Sequence, residues 1–174
     1  MTHIFGSRTK MIIEKNAVMN NKELLSLGKK AIIVTSKSAA AVSGALVDVT
    51  SALALLDIPY AVYSDIAENP TYESVKEASQ KAIDENCDFV IGIGGGSPLD
   101  AAKAVAILLT NPDITEEDFY KCNFIVPAPI ALIGTTAGTG SEVTPYSVIT
   151  NSDGKKASVA SKDILTIVSF GDIT

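Results

Sequence analysis

Phe89-Val-Ile-Gly-Ile-Gly-Gly-Gly-Ser-Pro-Leu-Asp-Ala-Ala-Lys103 reads as a buried strand that passes through glycines directly into a helix. The run Phe89 to Ile93 has no polar alternation, as a strand covered on both faces requires. Gly94, Gly95 and Gly96 then let the backbone approach a ligand closely and take positive φ where a turn demands it. Ser97 suits an N-cap, Pro98 the first helical position, and Asp100 stands three residues beyond the cap, so a sharp helix start is predicted there. Strand, glycine loop and helix in this order form the phosphate-binding unit of doubly wound sheets, where first-turn amides face an anion. Three glycines exceed what a turn needs, so binding is the favoured reading of the loop. The pattern departs from G-x-G-x-x-G, because Ser97 stands where the last glycine would be. Capping alone accounts for Asp100, with ligand contact the lesser alternative; Lys103 is expected to pair with Asp100 or to lie solvated.

Working outward, strand-like and helix-like segments alternate, which points to an α/β fold. Lys30 to Thr35 is continuous and β-branched, Ser43 to Asp57 has helical density, and Tyr60 to Tyr63 reads as the next strand. Asn69-Pro70-Thr71 marks a turn, since proline pushes the residue before it out of helical geometry. Tyr72 to Asn86 follows at helical spacing. Lys10 to Glu14 is a short β-prone run near the start, and Ile130 to Ile133 is a strand further on. Tyr146–Thr150 and Lys156–Ala160, joined across Ser152-Asp153-Gly154, are predicted to form a hairpin. The expectation is a Rossmann-like, doubly wound, mostly parallel sheet with a small β-hairpin, as one domain over residues 1–174.

A second loop, Gly134-Thr-Thr-Ala-Gly-Thr-Gly-Ser-Glu-Val-Thr144, also follows a strand. Thr135, Thr136, Thr139, Ser141 and Thr144 supply hydroxyls among small residues, and Glu142 is read as a polar anchor for the loop. Two such loops at the carboxyl ends of strands suit an extended ligand with phosphate and sugar groups. Ser36-Lys37 ends the strand Ala31–Thr35, where an acidic residue commonly holds the ribose hydroxyls of adenosine. A serine there removes a charge that would repel the 2′-phosphate of NADP, and Lys37 can add attraction. The competing reading is that Ser36 caps a turn and Lys37 is solvated.

Composition narrows the partners. At 174 residues, 47% hydrophobic, the chain can bury a core without disulfides, and Cys87 and Cys122 are read as small buried or half-buried residues of a reducing, cytoplasmic compartment. The N-terminus has no apolar signal-like region, and no apolar stretch is long enough to span a bilayer. A net charge of −6 without a basic cluster argues against nucleic acid. The single histidine, His3, is expected to be exposed and idle, and one imidazole cannot build a catalytic zinc or iron site.

Four stretches together resemble the iron-containing alcohol dehydrogenase family, which shares its fold with dehydroquinate synthase and glycerol dehydrogenase. They are Ile4-Phe5-Gly6, Asn69-Pro70-Thr71, Gly94 to Lys103, and Thr135 to Thr144. The resemblance implies that this lobe binds NADP or NAD, and that a second, helical lobe holds Fe2+ or Zn2+ through one aspartate and three histidines beyond this sequence. It implies that Gly95, Gly96 and Ser97 bind the pyrophosphate, that Thr135, Thr136 and Thr144 line the cofactor, and that Asn69 and Lys156 contact the ribose and adenine side. Relatives that prefer NAD often have an aspartate that looks equivalent to Ser36. Ser169 to Thr174 looks like a connector into the second lobe, although Gly171-Asp172 does not match the family's Asp-Pro and Gly134 replaces its usual proline. The implied chemistry is hydride transfer between a small alcohol or aldehyde and nicotinamide, in a homo-oligomer (dimer). A glycerol dehydrogenase or a maleylacetate reductase of the same superfamily, or a non-catalytic truncated nucleotide-binding product, remain alternatives.

Overall fold

Side-chain alternation along the strands divides the molecule into two layers around one sheet. The computed structural model describes residues 9–172, so His3, Ile4-Phe5-Gly6 and Ile173-Thr174 lie outside the described residues. Eight strands are numbered along the chain: β1 (Lys10–Glu14), β2 (Ala31–Thr35), β3 (Tyr60–Tyr63), β4 (Phe89–Gly94), β5 (Ile130–Gly134), β6 (Tyr146–Thr150), β7 (Lys156–Ala160) and β8 (Val168–Asp172). Six of them form a parallel sheet in the order β1-β8-β5-β4-β2-β3, and β6 and β7 make a separate antiparallel hairpin. The helices are α1 (Ala17–Asn20), α2 (Lys37–Val42), α3 (Ala45–Leu55), α4 (Tyr72–Asp84), α5 (Gly96–Thr110) and α6 (Glu116–Tyr120).

On one face Ile32, Val34, Val90 and Leu132 pack with α4, α5, α6 and the inward residues Ile149 and Val159 of the hairpin. On the other, Ile33, Ile91, Ile133 and Phe170 pack with α1 and α3. Neighbouring residues of a strand thus enter opposite cores, which is why β2, β4 and β5 are almost wholly apolar. Helix α5 is buried from Ala101 to Leu108 because it lies between the sheet and the hairpin. A helix apolar on all sides belongs in such a place. Its close approach depends on Gly92, where a Cβ would fall 2.6 Å from both Ala102 Cβ and Leu132 Cδ2.

Helix α4 starts with a capping box: Ser74 N donates to Thr71 Oγ1 at 3.2 Å, and Thr71 N donates to Ser74 Oγ at 3.1 Å. The structure refines two readings of the sequence here. The helix expected over Ser43–Asp57 spans Ala45–Leu55, and a separate short helix, α2, precedes it. Gly44, at φ +68°, breaks the two apart, and Ser36 caps the first by accepting from Ala39 N at 3.2 Å. The segment read as a connector, from Ser169 to Asp172, belongs to β8, which is hydrogen-bonded between β5 and β1. Cys87 is buried, Cys122 half-buried, and both are free. No helix among the described residues is long and apolar enough to cross a membrane.

Candidate cofactor site

From β2 the chain moves outward to β3, then returns to lay β4 on the other side of β2. The chain segments that leave the carboxyl ends of β2 and β4 therefore go to opposite faces of the sheet, and a crevice opens at that switch point. Gly94 closes β4 at φ +145°, a conformation foreign to other residues, and a Cβ there would lie 2.7 Å from Pro98 Cγ. Gly95 is the N-cap of α5, in extended geometry, and no side chain caps it. Ser97 is consequently the second helical residue and not the cap, Pro98 is the third, and Asp100 has no part in capping. The cause lies in Gly95, whose carbonyl already accepts the first intrahelical bond, from Leu99 N at 3.2 Å. Ser97 Oγ instead accepts from Asn69 N at 3.3 Å, with Asn69 in the left-handed region at φ +55°. The first-turn amides of a helix have no intrahelical acceptor, and without a side-chain cap they are available to an anion.

The second loop lies against these glycines. A Cβ on Gly95 would stand 3.0 Å from Thr136 Oγ1, and one on Gly96 3.1 Å from Thr139 Cγ2. Around this contact runs a groove of adjoining cavities. One, of about 570 Å3, has Ser36, Lys37, Asp65 and Glu68 facing Gly95–Ser97. A second, of about 470 Å3, brings Asn69, Thr139, Thr144 and Lys156 to Gly96, Ser97 and Asp100. A third, of about 380 Å3, joins Ser36 and Gly95 to Thr135 and Thr136. The groove thus brings the predicted residues together around the start of α5. Within it Ser36 lines the first cavity and Asn69 and Lys156 the second, with Gly96 and Ser97 common to both.

Asp100 and Lys103 turn out to be structural partners. Lys103 is fully buried, and its Nζ donates to Tyr146 O at 2.6 Å and Ser141 Oγ at 3.0 Å, with Asp100 Oδ1 at 3.5 Å. Asp100 accepts from Ser141 Oγ at 2.5 Å and from Val148 N at 3.1 Å, so one of its oxygens holds the second loop and the other the hairpin. Burial pushes the Lys103 ammonium below its ordinary pKa, with Asp100 and Glu142 opposing that shift. Lys103 is therefore paired, as one reading of the sequence had it, but not solvated. Ser36 is the cap of α2, and Lys37 pairs with Asp65 at 2.9 Å on the surface.

Several lining residues escaped sequence reasoning. Tyr146, Val148 and Thr150 of the hairpin face the second cavity, and their period-2 spacing was the signal that could have found them. Asp65 and Glu68 come from the loop after β3, which has no pattern of its own. Among the described residues no group of three or more His, Cys, Asp or Glu could hold a metal ion. The described residues of the groove thus offer hydroxyls and backbone amides and no set of metal ligands.

Fold and groove define a doubly wound α/β protein with a ligand crevice at its topological switch point. The chain belongs to the iron-containing alcohol dehydrogenase family, whose profile matches residues 8–172. It is 39% identical over 135 residues to the long-chain primary alcohol dehydrogenase AdhA of Thermoanaerobacter ethanolicus, covering 76% of this chain and 33% of that one. The crystal structure of an iron-containing alcohol dehydrogenase from Thermotoga maritima superposes with a TM-score of 0.90 at 36% identity, over 98% of this chain and 48% of that one. Sulfoacetaldehyde reductase from Bifidobacterium kashiwanohense, solved in complex with NAD+, gives a TM-score of 0.81 at 29% identity, over 99% of this chain and 46% of that one. The chain thus spans about a third of the length of the curated relative and about half of each solved chain.

Proposed function

We propose that this chain is the NAD(P)-binding portion of an oxidoreductase that moves a hydride between an alcohol or aldehyde and nicotinamide. The observation that carries the reading is the start of α5, which has no side-chain cap and lies behind three glycines at the switch point, within a groove lined by hydroxyls. The amides of Gly96 and Ser97 are assigned to the pyrophosphate, with Gly94 and Gly95 giving it room. Ser36 lies on the adenosine side, by the usual polarity of such sheets. Asn69, Thr139, Thr144 and Lys156, in the cavity across Ser97, then face the nicotinamide half, while Thr135 and Thr136 close the groove beside Gly95. When bound, the nicotinamide supplies the hydride acceptor; this lobe supplies its position and electrostatics. Asp100 lines the second cavity while its carboxylate oxygens hold Ser141 and Val148, which supports a role in keeping the groove's shape. The relatives' names, for a long-chain alcohol in one case and sulfoacetaldehyde in another, leave the substrate of this chain at the level of alcohol or aldehyde.

No metal step is assigned to this chain, because its described residues offer no ligand set. The lone histidine, His3, favours a second reading for the chain taken alone, nucleotide binding without catalysis. Titration of the chain with NAD and NADP, followed by a turnover assay with added Fe2+ or Zn2+, tests both. Saturable binding of either nucleotide without alcohol oxidation is expected. Failure of both to bind would overturn the assignment of the groove, and metal-dependent turnover by contaminant-free protein would overturn the division of labour.

A further inference from the structure

We propose that Asp65 is a specificity-determining residue, which restrains binding of NADP relative to NAD by holding Lys37. The inference rests on the reading of the groove as a dinucleotide site, with its adenosine end at Ser36. Backbone contacts place Asp65 there: Ser36 and Asp65 form a bridge beyond the ends of β2 and β3, and Ile66 N donates to Thr35 O at 3.3 Å. Across that bridge Lys37 Nζ lies 2.9 Å from Asp65 Oδ1. Ser36 itself is a neutral group already engaged, accepting from Ala39 N and sharing a hydrogen bond of 3.2 Å with Ser38 Oγ.

The charges in the wall of this cavity are Lys37, Asp65 and Glu68. The balance is one cation against two carboxylates, and the cation is committed to one of them. A 2′-phosphate beside Ser36 would have to share Lys37 with Asp65, and would then stand close to that carboxylate. The ribose diol of NAD carries no charge and can donate a hydrogen bond to an acidic oxygen. Serine at position 36 admits NADP, and Asp65 limits how far the balance tips. The side chains of Lys37 and Asp65 are 83% and 59% exposed, so the effect is solvent-screened and sensitive to salt.

The test measures dissociation constants of NAD and NADP for the full chain carrying Asp65→Asn, Lys37→Ala or both. Asp65→Asn should tighten NADP by about 3- to 5-fold while changing NAD by less than about 2-fold. Most of that gain should vanish when Lys37→Ala is also present, and it should shrink as ionic strength rises from about 0.05 to 0.5 M. A ratio of affinities that Asp65→Asn leaves unchanged, or an equal shift for both nucleotides, would overturn the role of Asp65 and leave the groove assignment standing. Absence of binding of either nucleotide to the parent chain would remove both.

Discussion

Gly94 and Gly95 are neighbours that are required for different reasons, and substitution separates them. Gly94 sits at φ +145° with Pro98 Cγ 2.7 Å from any added Cβ, so Gly94→Ala should cost about 1 to 3 kcal/mol of stability, read as a lower midpoint in urea. Gly95 is at φ −83°, ψ −163°, which any residue adopts, and its Cβ would meet Thr136 Oγ1 at 3.0 Å. Gly95→Val should therefore fold but place methyl groups where the pyrophosphate is assigned, weakening nucleotide binding about tenfold or more, roughly 1.4 kcal/mol. Matching titration curves for folded mutant and parent would withdraw Gly95 from the site. At Ser36, aspartate is as good an N-cap as serine, so Ser36→Asp should leave stability unchanged. Its carboxylate should cost NADP about 1 kcal/mol, the screened end of the Coulomb range, and NADP should bind the parent at least as well as NAD. Unchanged NADP affinity in Ser36→Asp, or a parent that prefers NAD, would mean that Ser36 is not the selector. That these residues gather at one place was legible in the glycine and threonine runs. The exact cap of α5 was not, because Gly95 and Ser97 are both acceptable caps and only the backbone path out of β4 decides between them.

At the scale of elements, β1, β3, β6 and β7 have the bounds that apolar runs and turn residues predicted, since each is short and flanked by turn or polar residues. Helix α2 was missed because six residues give too little periodicity to register, and β8 because its place between β5 and β1 is a long-range fact that local pattern does not contain. The tie between α5 and the hairpin was equally illegible. Lys103 read as a partner of Asp100 or as solvated, and the arrival of β6 and the Ser141 turn over the pair buries the lysine. That burial makes the pair decisive for stability. Among the described residues Asp100, whose side chain is 16% exposed, is the one carboxylate within ion-pair distance of the buried ammonium. Asp100→Asn should destabilise by about 3 kcal/mol, because it strands a buried charge. Lys103→Met, which removes the charge itself, should cost less. If Asp100→Asn unfolds at the parent's temperature but loses nucleotide affinity, Asp100 is a ligand contact after all and its structural role is the lesser one.

At the scale of the whole molecule, the sheet ends on one side at β1, which pairs only with β8 among the described residues. Its other edge presents backbone donors and acceptors, and such edges template pairing with a further strand. The side chains suit that outcome: Met11 and Ile13, at alternate positions, are 45% and 57% exposed. The sequence of the strand, Lys10-Met-Ile-Ile-Glu14, is also complementary to itself. In an antiparallel pair of two copies centred on Ile12, Met11 would face Ile13 of the partner and Lys10 would face Glu14 of the partner. Opposite charges directly across strands stabilise, and a twofold axis repeats each contact twice. Glu14 keeps capacity for this, although one of its oxygens accepts from Asn21 Nδ2 at 2.6 Å. The chain should therefore dimerise in light scattering at about 100 μM, a contact too small to persist at high dilution. Lys10→Glu should weaken the dimer by setting like charges opposite one another, and adding Glu14→Lys should restore it, because the pair is then merely reversed. Ile13→Lys should abolish it without lowering the unfolding temperature. A parent that stays monomeric, or a reversed-charge double mutant that fails to recover, would show that the β1 edge is not where two copies meet.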